Sequence, residues 1–214
     1  MKKQIQTLLL LAVLLPAGIS VAQDYPQQSE IHTIFKRHRP SGGYGAISNK
    51  FSTINGDYAN LVEVYGGWYV NKRFLLGIGA AATTNDIRVP EEYSTLPGVP
   101  MSYEYGQVGM MTEYVLGTNR AFHLVFQLFS GAGFTVQYQR RDWHDDFDDF
   151  DYANDENWFF VAEPGVQLEM NLFRWLRFSP GVSYRAAFGS DAEGLTDTDL
   201  SNISYNVTLK FGKF

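Results

Sequence analysis

Apolar and polar residues alternate with a period of two along most of the chain, and the stretch EPGVQLEMNLFRWLRFSPGVSYR shows it most clearly. From Phe160 onward, Ala162, Pro164, Val166, Leu168, Met170 and Leu172 form an apolar face, whereas Glu163, Gly165, Gln167, Glu169 and Asn171 form the opposite one. After a short turn at Phe173 and Arg174, Leu176, Phe178, Pro180, Val182 and Tyr184 share one face, and Arg177, Ser179, Gly181, Ser183 and Arg185 share the other. No apolar stripe of period 3.6 fits this stretch, so it reads as a β-hairpin.

The same pattern recurs. Val62, Val64, Trp68 and Val70 oppose Glu63, Tyr65, Gly67 and Tyr69, and Phe74, Leu76, Ile78 and Ala80 oppose Arg73, Gly77, Gly79 and Thr83. In residues 121–138, Phe122, Leu124, Phe126, Leu128, Phe134 and Val136 oppose His123, Gln127, Gly131, Gly133, Thr135 and Gln137. Residues 200–211 set Ile203, Tyr205, Val207, Leu209 and Phe211 against Ser204, Asn206, Thr208 and Lys210. Residues 101–116 fit less cleanly, with Thr112 among Val108, Met110, Tyr114 and Leu116, and in residues 42–51 Lys50 and Phe51 leave the register open.

These segments make eight strands. Their connections alternate between short (71–72, 117–120, 173–174) and longer (52–58, 85–100, 139–157, 189–199). The expectation is an all-β fold: an eight-stranded antiparallel up-and-down transmembrane β-barrel, with short periplasmic turns and longer extracellular loops. Strands of ~9–11 tilted residues are long enough to cross a membrane. A soluble barrel of lipocalin type alternates as well but turns its apolar face inward.

Three features favour the inverted case. Glycines crowd the polar faces. The chain closes on Phe214, directly after a strand. Trp68, Tyr69, Tyr114, Phe122 and Trp175 lie beside the short turns and Tyr103, Tyr105, Phe134, Tyr138, Trp158 and Tyr184 beside the long loops, as two interfacial girdles would. Pro164 and Pro180 fall within strands, where each removes a ladder donor, so a bulge or local widening is expected at both.

The first residues, MKKQIQTLLLLAVLLPAGISVAQ, add the compartment. Lys2 and Lys3, the apolar run from Leu8 to Leu15 and Ser20-Val21-Ala22 form a secretory signal peptide over residues 1–22. The run is too short for the ~20 residues of a membrane helix, and Pro16 breaks it. A periplasmic tail over 23–40 and a barrel over 41–214 complete the expected organisation, in the outer membrane of a Gram-negative bacterium. Without Lys2 and Lys3, the 17 basic residues fall to 15 against 23 acidic ones, a formal charge of −8, which argues against nucleic acid. The absence of cysteine excludes disulfides and thiolate metal sites, and no motif calls for a cofactor.

Four pieces, Gly42-Gly43-Tyr44-Gly45, Gly66-Gly67-Trp68, Glu163-Pro164-Gly165 and Phe211-Gly212-Lys213-Phe214, carry a resemblance to a family of small, largely uncharacterised outer-membrane β-barrel proteins. It covers nearly everything from Ser41 onward. The resemblance implies an eight-strand barrel of OmpA or OmpX type, assembled by the outer-membrane insertion machinery, and it implies no agreed activity. Phe211 and Phe214 stand three apart, a departure from the usual alternation of aromatics up to the last residue.

In the expected register Glu63, Glu113, Glu163 and Glu169 point into the lumen with Arg73, Arg177, Arg185 and Lys210. An eight-strand barrel is just wide enough to be filled by its own side chains. The balance of signs therefore favours a packed polar core, with a structural or surface-interaction role; a narrow gated channel for small solutes or ions is the alternative. A lipid-modifying enzyme is less favoured. His123 has no serine beside it, and His144 with Asp145 and Asp146 would have to recruit Ser94, Ser102 or Ser190.

The loop RRDWHDDFDDFDYANDEN is read as a hydrophilic extracellular cap. Asp145, Asp146, Asp148, Asp149 and Asp151 are its candidates for weak divalent-cation binding, bridging to lipopolysaccharide. Outer-membrane lipids and lipopolysaccharide are the expected partners, Phe35-Lys36-Arg37-His38-Arg39 is a candidate contact for anionic headgroups, and a monomer is expected.

Overall fold

The computed structural model describes residues 42–70, 73–117, 120–139 and 152–214. The signal segment, the tail and the aspartates at 145, 146, 148, 149 and 151 lie outside the described residues. The elements run β1 (Gly42–Ile54), β2 (Asp57–Val70), β3 (Phe74–Thr83), β4 (Ile87–Arg88), β5 (Met101–Leu116), β6 (Phe122–Gln139), β7 (Tyr152–Asn171), β8 (Leu176–Phe188), a four-residue helix α1 (Asp197–Leu200) and β9 (Asn202–Gly212). Every neighbouring pair is antiparallel. β1 pairs with β9, from Tyr44 opposite Gly212 to Phe51 opposite Tyr205, and β3 pairs with β5, so eight strands close on themselves. β4 is a two-residue addition to the loop end of β5.

The faces are inverted relative to a water-soluble barrel. Ile78 is 74% exposed and Trp68 61%, whereas Lys50, Glu63, Glu113, Glu163, Glu169, Arg185 and Lys210 are all buried inside. Soluble monomers rarely expose an apolar patch of more than a few hundred Å². A band of this size round the whole wall requires a hydrocarbon solvent. Thr112, the polar residue among Val108, Met110, Tyr114 and Leu116 on the outer face of β5, donates its hydroxyl to the Leu128 carbonyl across the strand pair at 3.2 Å. Among the described residues no helix is long and apolar enough to cross a membrane.

Several expectations need correction. Residues 52–58 are no long loop: β1 and β2 continue into a two-residue turn at Asn55-Gly56, with φ of 52° and 79°. Positive φ at both central residues is the type I′ requirement that Asn-Gly meets best. β7 begins at Tyr152, inside the segment 139–157 expected as loop, and its register against β6 shifts between Thr135 and Gln137. Tyr69, Tyr103 and Tyr105 are not girdle residues. Their parity places them inside, at 1% exposure or less.

Pro164 and Pro180 produce no bulge, because the β7–β8 register is constant from Phe160 opposite Phe188 to Asn171 opposite Arg177. What is missing are rungs. Pro164 keeps its place opposite Leu128, and Pro180 opposite Val207, while the β7–β8 ladder is interrupted at both prolines. Both absent donors thus face the same seam.

Glycine has a geometric task inside. Gly109 stands opposite Gly131, where an added Cβ would lie 2.4 Å from the Ser130 carbonyl oxygen or 2.2 Å from that of Val108. Strands coiled this tightly leave no room for a side chain at that rung.

Candidate functional site

The lumen gathers the chemistry. Alternation along each strand delivers one inward side chain every second residue, and closure brings strands distant in sequence face to face. Beside the short turns, Glu113 of β5 and Glu169 of β7 share Lys210 of β9, whose ammonium lies 2.9 Å from Glu113 Oε1 and 2.8 Å from Glu169 Oε2. Tyr65 donates to Glu113 at 3.1 Å and Tyr69 at 3.4 Å, and Tyr44 donates to the same carboxylate. Glu169 also accepts from Arg177 of β8 and meets His123 Nε2 at 2.6 Å. That last contact calls for a proton on His123 Nε2, and the buried Nδ1 has no hydrogen-bond partner.

A second layer lies further from the short turns. Lys50 of β1 donates to Glu63 of β2 at 2.7 Å and to both oxygens of Glu163 at 3.0 Å. Ser183 and Gln107 complete the shell of Glu163 at 2.6 and 3.1 Å. Arg185 stands over the Tyr105 ring at 4.8 Å and donates to the carbonyls of Leu200 at 2.6 Å and Thr53 at 3.0 Å. Between the layers, Gln127 Oε1, Gln167 Oε1 and Asn206 Nδ2 are buried without a partner, so polar accounting is least complete there.

Both ends are filled. At the turn end Phe214 packs on Tyr44 at 5.6 Å between ring centres, with the Arg177 guanidinium 3.7 Å over its ring. At the loop end the segments around β4 and α1 fold inward. Ile54, Ile87, Leu195 and Leu200 are buried at 1% or less. Tyr103 donates to the Glu193 carbonyl at 2.7 Å, and Gln137 donates to the Tyr93 carbonyl at 2.9 Å. A capping box between Thr196 and Asp199 starts α1, and Asp197 accepts from the backbone N–H groups of Gly189 and Ser190, which holds the helix in place.

The structure places Glu63, Glu113, Glu163, Glu169, Arg177, Arg185 and Lys210 in the lumen. Arg73 is a correction: it precedes β3, in the turn, and is exposed. Lys50 occupies the role assigned to it, so four buried acids still face four buried bases. The tyrosines at 44, 65 and 69 were also missed as members of the network. The signal was present for all four, since they share the parity of Ala46, Ser48 or Glu63. As for nucleophilic chemistry, Glu169 stands between His123 and Ser179, whose hydroxyl is 3.5 Å from Glu169 Oε2. A base must touch the hydroxyl it activates, and here the carboxylate intervenes. His144 lies outside the described residues.

No family model matches the chain, and no curated protein matches it. Solved structures do. Neisserial surface protein A superposes with a TM-score of 0.53 at 8% identity, over 81% of this chain and 97% of that one. The N-terminal β-barrel domain of Pseudomonas aeruginosa OprF gives 0.48 at 8% identity, over 79% and 96%. Ail, the attachment invasion locus protein of Yersinia pestis, in complex with the heparin analogue sucrose octasulfate, gives 0.49 at 10% identity, over 82% and 99%. With its closed eight-strand wall and apolar outer face, the chain has the fold of the small outer-membrane β-barrels.

Proposed function

We propose that this protein is an outer-membrane barrel with a structural or surface-interaction role, whose lumen is a packed polar core rather than a conduit. One observation carries the reading: the eight buried charges spend themselves on one another and on neighbouring polar groups, with Phe214 at one end and Leu195 and Leu200 at the other. Unpairing any of them to open a path would leave a charge in a low-dielectric interior, which costs several kcal/mol. The short turns face the periplasm and the loops face outward in this reading, and the role at the surface is non-enzymatic.

Planar-bilayer recording of the refolded barrel tests the lumen. No steady channels are expected from the wild type or from Glu163→Gln. Steady wild-type channels that disappear in Glu163→Gln would replace the packed core with a gated conduit. Fractionation with heat-modifiable gel mobility tests the location, and a mature protein that stays soluble without detergent would refute it. Lipid A spectra that change on deletion or overexpression would establish an enzyme instead.

A further inference from the structure

The two rims of the barrel differ in sign. At the rim that holds the chain's last residues, each turn carries an exposed base and no exposed acid among the described residues: Arg73 between β2 and β3, Arg120 between β5 and β6, and Arg174 between β7 and β8. Lys213, just past β9, adds a fourth. The loop rim is the reverse. Among its described exposed charges Arg88 is the sole base, against acids that include Asp57, Asp86, Glu91, Glu92 and Glu156. The bases sit just beyond the lipid-facing aromatics Trp68, Phe74, Tyr114, Phe122, Trp175 and Phe211, at the depth where headgroups begin.

At one point this basic rim meets a formed groove. Arg120 lines a depression of about 390 Å³ at this rim together with Gly117, the inward-facing His123 and the outward-facing Leu116, Phe122, Leu124 and Leu168. Those four side chains come from three adjacent strands, point outward and are between 44% and 59% exposed. The backbone of Arg120 is held at both ends: its N–H donates to the Gly117 carbonyl at 3.0 Å, and its carbonyl accepts from Asn171 Nδ2 at 3.0 Å. Gly117 takes a φ of +83°, which lets the strand turn sharply at the groove. An exposed cation beside an apolar trough matches an amphiphile with a negative head and a hydrocarbon tail.

We propose that the short-turn rim binds anionic glycerophospholipid, with the phosphate on Arg120, an acyl chain in the Leu116–Leu168 groove, and Arg73, Arg174 and Lys213 as auxiliary contacts. The leaflet is the periplasmic one, an assignment that rests on the orientation proposed above. The charge difference selects phosphatidylglycerol over a zwitterionic lipid, because each base near an anionic surface favours association roughly fivefold.

The experiment is native mass spectrometry of the refolded full-length mature barrel, released from mixed micelles holding equal phosphatidylglycerol and phosphatidylcholine of the same chain length. Wild type is expected to retain phosphatidylglycerol preferentially. Arg120→Gln should reduce that ratio about fivefold, the combination Arg73→Gln, Arg174→Gln and Lys213→Gln should reduce it further when added to it, and Arg88→Gln should leave it unchanged. Equal retention of the two lipids, or a ratio that Arg120→Gln does not move, overturns the proposal. A Thr198→Cys variant, at an exposed position of the loop rim, labelled on intact cells reports orientation separately. Labelling only after permeabilisation would reverse the leaflet and sink the orientation while leaving the lipid preference to its own result.

Discussion

The two charge layers of the lumen use the same residue types but differ in how many donors each acid commands. Near the short turns, Glu113 takes Lys210 and three tyrosine hydroxyls, and Glu169 takes Lys210, Arg177, His123 and Ser179. In the other layer Glu163 takes Lys50, Ser183 and Gln107, yet among the described residues Glu63 takes Lys50 alone. Arg185 is held by two carbonyls and a ring rather than by a carboxylate. One layer is redundant and the other depends on a single amine. A buried ion recovers its desolvation cost only through the partners it keeps, so the donors left after a deletion decide the damage.

Lys50→Met should therefore have the largest effect. It strands Glu63 and strips Glu163 of its cation, with an expected loss of about 3–5 kcal/mol in urea unfolding of the barrel in lipid vesicles. Adding Glu63→Gln should return part of that loss, since the stranded charge is removed. Lys210→Met deletes an amine that bridges two acids, yet both keep charged or hydroxyl donors. Its expected loss is about 2 kcal/mol by the same measurement. If the two lysines cost the same, the distinction between the layers is wrong.

Parity explains why most of this site was legible and why some was not. Within a ladder, inward and outward residues strictly alternate, so Glu113 or Lys210 could be placed inside from its neighbours alone. Arg73 was misplaced because the rule stops where the ladder stops, and the ladder of β3 starts at Phe74 opposite Val70. Lys50 failed for the opposite reason. Next to Phe51 it resembled a strand end, but the strand runs on to the Asn55-Gly56 turn, and the parity that starts at Tyr44 continues through it. Tyr69, Tyr103 and Tyr105 were drawn to the girdles by residue type, against their parity. Which acid meets which base depends on the stagger of the strands round the barrel, and a one-strand pattern carries no information about that.

The end of the redundant layer offers a milder test. Phe214→Ala removes the ring that packs on Tyr44 and Tyr69 and lies beneath Arg177, with an expected loss of about 1–2 kcal/mol. Bilayer recordings should stay silent, because the Glu113–Lys210–Glu169 layer above still fills the lumen. Steady conductance in this variant would make Phe214 the closure and demote the charges.

The smallest effect belongs to the wall itself. β5 and β6 pair without interruption from Met101 opposite Gln139 to Leu116 opposite Leu124, whereas β7 and β8 lose rungs at Pro164 and Pro180. Pro164→Ala supplies a donor directed at that seam, worth about 0.5–1.5 kcal/mol, but it also frees the unfolded chain by about 0.4–1 kcal/mol. Unfolding free energy should therefore barely move. Amide hydrogen exchange separates the two contributions, because only the native ladder governs local opening. Wild-type exchange should be faster along β7–β8 than along β5–β6, and Pro164→Ala should slow it at Val166 and Tyr184. Equal exchange along both seams in the wild type would mean that the missing rungs leave the wall no weaker there.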